Sequence, residues 1–396
     1  MKKLIPCLTL IILLWGSGLW RTSYAQDATV QEKSPQADQV VERCLQEVTP
    51  DQLSLRGSIY YESTRFGHLW RLNTELVSEA VELYPPSPGI VYALTDTAHK
   101  TLIVFGRMAA PTIRPLSFYL IQQGKVIKYY KADLTWDSPL TWTHNNRLVV
   151  NQDASEPAQN GFLLLNTGGE SLTVETYTDF PHAMRVTQVP HNGFQVSPQE
   201  DRVIYGALWG EGLSRARGLA LAELPSKRVI WSTTENHLWS DWWSEPLWSP
   251  DGTQFAYVHQ DYSNSRLNIA LVNKNGKQRL VTDFQGDAEH FELISTLLWS
   301  PDGHKLAFWM YEPFSLLQAD HPSDLQSLYI LDLRDGTVIA TCHRMQRYWD
   351  MGITWSPDST SLAYVEGKQL FLLDIDKGLK SAVALDGLRV LGWLDD

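Results

Sequence analysis

The hexapeptide LWSPDG occurs at 247–252 and again at 298–303, and returns as TWSPDS at 354–359. A long fixed period means stacked copies of one supersecondary unit, because a single copy cannot bury its own apolar face. From residue 247 the unit reads LWS, a PDGT turn, QFAYVHQ, a polar loop, LNIALVN, KNGK and QRLVTDF. Four short apolar runs joined by three connections spell an antiparallel sheet. The next copy runs LLWS, KLAFWMY, SLYILDL, TVIATC, and the last ITWS, SLAYVEG, QLFLLDI, SAVAL. Weaker copies lie upstream, and the anchors Thr95, Thr143, Ser197, Ser249, Ser300 and Ser356 recur at intervals of 48, 54, 52, 51 and 56 residues.

Six anchors leave material at both ends. GSIYYES, HLWRLN and AVELY, from residue 57, have no anchor strand before them, and RVLGWL at 389–394 has no strands after it. Joined, they complete one more four-stranded unit. The pattern therefore predicts an all-β chain: a single β-propeller of seven four-stranded blades, closed by pairing the C-terminal strand with the N-terminal ones, which leaves no open blade. A six-bladed ring is the alternative. The repeated turn has a physical reading, since Pro pre-sets φ at its first corner, Asp bonds the backbone beyond it and Gly accepts a positive φ. Trp248, Trp299 and Trp355, at the ends of the first strands, suit the wedge between blades as wide flat groups.

WSPDG, followed by an AYV or AFW strand and then an LYILDL strand, resembles the repeat of TolB-type propellers, which also occurs in the propeller domains of prolyl oligopeptidase relatives. The match covers Trp248 to Val258, Trp299 to Phe308 and Trp355 to Val365 and degrades toward the N-terminus, where Gln199 and Glu200 replace Asp-Gly. TolB carries an α/β domain before its propeller. Here only a short polar stretch precedes it, so the resemblance implies the fold and a bacterial envelope setting without TolB's own role.

Lys2 and Lys3 precede an apolar run from Leu4 to Trp15 and a small-residue site at Ser23 and Ala25, which predicts a signal peptide over 1–25. The alternative, an uncleaved anchor, is disfavoured because the run falls short of the roughly 20 residues that span a bilayer. Export to a periplasm or the extracellular space follows, with no membrane insertion after cleavage. Residues 26–56 read as a polar tail or linker, and 57–396 as the propeller. Removal of the signal leaves 30 basic and 45 acidic residues, a formal charge of −15. So acidic a chain is a poor partner for nucleic acid or an anionic membrane. Cys44 and Cys342 remain, either as a disulfide tying the tail to the body or as two separate thiols; distance decides between them.

No catalytic motif is present: neither G-x-S-x-G with room for a hydrolase domain, nor H-E-x-x-H, nor a phosphate-binding glycine loop, nor a cysteine pair with zinc spacing. The chain thus reads as a non-enzyme, with no cofactor and no metal. His182, His191, His237, His290 and His343 fall in successive connections but share no register. In a four-stranded meander the PDG hairpins mark one face of the disc and the longer loops the other, where binding residues tend to sit. Those loops carry Trp209, Trp239, Trp242, Trp243, Tyr348 and Trp349 among charges, the kind of surface protein interfaces and sugar platforms use. The leading expectation is a monomeric binding module engaging a cell-envelope protein through that face. The alternative is a lectin or hydrolase working on a glycan at the central funnel, with acids such as Asp241, Glu245, Asp287 and Glu289.

Overall fold

The protein is represented by a computed structural model. It describes residues 40–63, 68–75, 80–82, 90–96, 98–106, 116–132, 141–151, 161–166, 173–183, 194–209, 216–233, 246–261, 266–284, 290–291, 294–311, 314–315, 325–346 and 352–395.

Strands form where five- to eight-residue apolar runs lie between turn residues, and they assemble into seven antiparallel blades in a ring. From the inside outward, blade 1 is Gly387–Leu394, Ser58–Ser63, Leu69–Asn73 and Ala80–Glu82, so the end of the chain supplies its inner strand and the beginning supplies the rest. Blade 2 is Ile90–Thr95, Leu102–Gly106, Leu116–Gln122 and Lys125–Ala132. Blade 3 is Thr141–Trp142, Arg147–Asn151, Gly161–Asn166 and Thr173–Thr178; blade 4 is Gln195–Val196, Arg202–Trp209, Ala216–Glu223 and Val229–Ser232. Blade 5 is Leu247–Trp248, Gln254–Asp261, Arg266–Asn273 and Gln278–Leu280. Blade 6 is Ile294–Trp299, Lys305–Tyr311, Leu325–Asp332 and Thr337–Gln346, and blade 7 is Thr354–Trp355, Ser361–Glu366, Gln369–Asp374 and Leu379–Ala384. Seven blades closed at a joint seam replace the six-bladed alternative.

The core lies between blades. Each apolar cluster draws on two neighbours: Val258, Leu271 and Phe308 join blades 5 and 6, Trp309, Trp355 and Tyr364 join 6 and 7, and Ile59, Val365 and Trp393 join 7 and 1. Burying one such side chain contributes about 1.5–3 kcal/mol. Spreading the burial over every interface makes the closed ring, rather than any one blade, the stable unit.

The repeated tryptophan has a second function besides filling the wedge. Its indole N–H donates to an inner-strand carbonyl of the preceding blade: Trp248 to Gln195 at 3.0 Å, Trp299 to Leu247 at 2.9 Å, and Trp355 to Leu298 at 3.1 Å. The turn after it is closed by its Ser and Asp, with Ser249 Oγ donating to Asp251 Oδ1 at 2.6 Å and accepting from Gln254 N–H. Its left-handed corner is Gly252 and Gly303, but Ser359, Glu200, Asn146 and His99 in other blades, all with positive φ. Three of these side chains reach into the preceding blade. Ser359 Oγ accepts from the Asp302 N–H, Glu200 accepts from Thr143 and Arg147, and His99 donates from Nδ1 to the Trp393 carbonyl.

Part of the stretch expected to be a tail or linker is built into the ring. Val40–Glu42 adds to blade 6 and Gln46–Glu47 to blade 7, each as a parallel fifth strand on the outer edge. Backbone bonds run from Arg43 N–H to the Ala340 carbonyl and from Val48 N–H to that of Lys380. Leu45, Leu53 and Leu55 are buried against blades 6, 7 and 1. A disulfide joins Cys44 to Cys342, with Cα atoms 4.7 Å apart, so the belt is held covalently at the junction of its two strands. The polar sequence hides this because its pairing partner is an edge already formed elsewhere, which no local alternation announces.

Candidate functional site in the central channel

The seven inner strands converge on a channel of about 460 Å³, bounded by residues of every blade. They run toward the hairpin face, so the turn prolines Pro198, Pro250 and Pro301 stand at one mouth while Gly352 and Arg389 stand toward the other. Much of the wall is apolar, because the first strands end in Trp and Leu that pack between blades.

Its charges are already engaged. Arg389 Nε donates to Glu62 Oε2 at 2.9 Å, with both side chains buried. Asp96 Oδ1 accepts from the backbone N–H of Lys100 and of Thr101, at 2.7 and 3.0 Å. His99, whose Nδ1 is fixed on the Trp393 carbonyl 2.9 Å away, is held neutral at higher acidity than usual because burial disfavours the imidazolium.

Blade 3 differs from the others at this wall. Trp142 occupies the place held by Trp248, Trp299 and Trp355, and the equivalent acceptor is the Leu94 carbonyl of blade 2, two residues before the turn anchor Asp96 as Gln195 is before Ser197. The Trp142 indole N–H nevertheless makes no hydrogen bond, and neither does the adjacent Thr141 Oγ1, although both atoms are buried and both residues line the channel. A buried donor without a partner costs about 1–3 kcal/mol. Such groups are rare in folded proteins and call for an explanation at each occurrence.

The residues singled out from sequence lie elsewhere. Trp209 is half-buried at the end of its strand, packs against the core shared by blades 3 and 4, and has its ring 6.2 Å from that of His182. Trp239, Trp242, Trp243, Tyr348 and Trp349, with Asp241, Glu245, Asp287 and Glu289, lie outside the described residues. His182 is exposed, while His343 is buried with Nε2 against the Tyr364 hydroxyl. Glu42, Cys44 and Cys342 lie close enough together to suggest a metal grouping, but both sulfurs are committed to the disulfide. Sequence reasoning missed Thr141 and Trp142 as site residues because the repeat labels Trp142 as one more inter-blade wedge. The missing bond appears only when two blades are set side by side.

No family model matches the chain, and no curated protein matches its sequence. Solved structures do match. The periplasmic gluconolactonase of Pseudomonas aeruginosa is similar over 85% of this chain and 98% of its own, at 13% identity and a TM-score of 0.53. An oligogalacturonate lyase from Vibrio parahaemolyticus is similar over 84% and 85%, at 11% identity and a TM-score of 0.50. TolB from Acinetobacter baumannii matches over 84% and 81%, at 14% identity and a TM-score of 0.43. At such identities the likeness is one of fold.

The expectation that this chain is not an enzyme is corrected by these matches. It rested on missing hydrolase motifs and on the absence of an attached catalytic domain. The lactonase is matched over nearly its whole length, so a propeller of this fold serves as an enzyme without a second large domain. Among the described residues no helix is long and apolar enough to cross a membrane.

Proposed function

We propose that this chain is an exported propeller of the bacterial envelope that binds an uncharged, polyhydroxylated ligand of the saccharide class in its central channel. The observation that carries this reading is the pair of unpartnered groups on blade 3. Trp142 Nε1 offers a donor, and Thr141 Oγ1 offers both a donor and an acceptor. That combination beside apolar walls suits a sugar hydroxyl and ring. The ligand is uncharged because Arg389 and Asp96 already have partners within the protein. A channel of about 460 Å³ lies within the range of small-molecule sites and holds one or two sugar rings. Export is supported by the charged and apolar N-terminal pattern and by the disulfide, since such bonds persist in oxidising compartments. The two enzyme neighbours are named for saccharide-derived substrates, an oligogalacturonate and a gluconolactone, and the second of these is uncharged.

The test is thermal unfolding of the purified protein against a panel of neutral mono- and disaccharides, beside the variant Thr141→Val with Trp142→Phe. A sugar that raises Tm in the parent and loses most of that shift in the variant supports the reading. A panel with no shift, or an equal shift in both proteins, refutes it. Following the same mixtures by proton NMR shows whether the bound sugar is also converted.

A further inference from the structure

Three residues at the outer edge of blade 6 stand out of register. Ser327 pairs with Arg344 and Tyr329 with Ala340, so Thr341, Cys342 and His343 all face the single residue Leu328. A bulge of this kind re-aims side chains and recurs beside functional sites. Its two flanks are fixed inward: Thr341 Oγ1 donates to the Leu328 carbonyl at 2.8 Å, and His343 is buried with Nε2 against the Tyr364 hydroxyl. Cys342 between them is exposed, with φ at +54°, a left-handed conformation that residues carrying a Cβ seldom adopt.

Its partner Cys44 is exposed as well, and sits between the two belt strands Val40–Glu42 and Gln46–Glu47, in which every residue is exposed. Leu45 alone is buried among residues 40–47. Backbone bonds from the Arg43 and Leu45 N–H groups to the Ala340 and Thr341 carbonyls straddle the disulfide. Strands of two and three residues are marginal by themselves, so the covalent bond carries much of what seats this stretch. The next buried anchors, Leu53 and Leu55, follow the 3₁₀ turn Pro50–Gln52 and pack separately, in the cluster shared by blades 7 and 1. Exposed and strained disulfides are the ones thiols can reach, and they form the labile, regulatory class.

We propose that the Cys44–Cys342 bond is a redox latch, which a dithiol opens in the folded protein, releasing residues 40–47 from the outer edges of blades 6 and 7 while the ring stays closed. A thiolate of the dithiol attacks one exposed sulfur, the S–S bond breaks, and the departing cysteine takes up a proton. The second thiolate then displaces the dithiol from the other cysteine, so two electrons and two protons pass to the protein and the dithiol leaves as a disulfide. Glu42 Oε1, 3.3 and 3.4 Å from the two sulfurs, opposes thiolate at either one. The reaction therefore suits a dithiol, whose second thiol completes it, better than a monothiol. Release uncovers the backbone at 338–340 and 379–380 and empties the seat of Leu45 between blades 6 and 7.

The test treats the whole protein with millimolar dithiothreitol at neutral pH without denaturant, and counts free thiols by mass after alkylation. Reduction is expected at a rate proportional to the dithiol concentration. Amides of Val40–Glu42 and Gln46–Glu47 should then exchange about tenfold faster while the inner strands keep their protection, and trypsin should cut after the exposed Arg43 only in the reduced protein. A rate independent of dithiol concentration would mean that the bond is reached only after the protein opens as a whole, and would overturn the proposal. A reduced protein whose belt keeps its protection and resists trypsin at Arg43 would overturn it too, as would loss of protection in all blades together.

Discussion

Arg389 and Glu62, 327 residues apart in sequence, form an ion pair at 2.9 Å in which both side chains are buried. The pair crosses from the last strand of the chain to the first strand of the propeller, within the blade that both ends build. Glu62→Ala leaves a guanidinium at the channel wall without its carboxylate, and is expected to cost about 3 kcal/mol in urea unfolding. Replacing both partners together, Glu62→Leu with Arg389→Met, is expected to restore most of that loss. A single variant no less stable than the parent would show that the seam does not depend on the pair.

The indole bonds between blades predict a contrast between two conservative changes. Trp299→Phe removes the donor to the Leu247 carbonyl and strands a buried acceptor, with an expected cost of about 1–2 kcal/mol beyond the packing change. Trp142→Phe removes a donor that has no acceptor, so its cost is expected to be the packing change less the about 1–3 kcal/mol that the unpartnered donor carries. Chemical denaturation of both variants measures the difference. Equal losses would argue that the indole N–H of Trp142 finds a protein partner in solution.

The disulfide closes a span of 298 residues, and its removal is expected to cost about 5–6 kcal/mol by the loop-entropy account. Cys44→Ser with Cys342→Ser is further expected to free the belt locally. Amides of Val40–Glu42 and Gln46–Glu47 should then exchange faster while those of the inner strands keep their relative protection. Uniform loss across all blades would mean that the belt and the ring unfold as one unit.

His343 gives the protein a pH dependence above the carboxylate range. Burial chiefly, and the Lys380 charge secondarily, push its imidazole down to about 4, amid Trp309, Tyr364 and Phe371. A depressed histidine binds its proton more readily when unfolded. Its contribution is therefore complete above about pH 6.5 and is lost as pH falls from there to about 4, by about 3 kcal/mol in all. His99 is shifted in the same direction by burial and adds to the loss. Urea midpoints between pH 7.5 and 4.5 measure it, and His343→Phe is expected to flatten most of the slope. A slope unchanged in that variant would place the proton uptake elsewhere.

Much of the fold was legible because a propeller writes its period into the chain. The turn LWSPDG recurs because the first hairpin of a blade needs a left-handed corner, and in blades 5, 6 and 7 a tryptophan before it fills the wedge. The unmatched strands around Ile59 and Trp393 announced the seam. The corner residue shows where this legibility ends. Glu200 and Ser359 look like decay of a Gly motif, yet both sustain the positive φ and spend their side chains on the blade before them.

The site was much less legible. Exposed-looking aromatics drew attention to the loop-rich face, and Trp209, the one of them described, is half-buried and packed beside His182. Thr141 and Trp142 carried no mark, because being unpartnered is a relation between a side chain and another strand.

The sequence by itself determined the all-β class and the propeller architecture, and favoured seven blades over six, since these depend on local alternation, turn chemistry and a count of repeats; the structure settled the seven. The tertiary structure decided where residues 40–47 attach, that Cys44 meets Cys342, and which buried polar atoms of the channel-lining residues lack partners. Those outcomes depend on distances between segments remote in the chain, and the periodicity of any one segment holds no record of them.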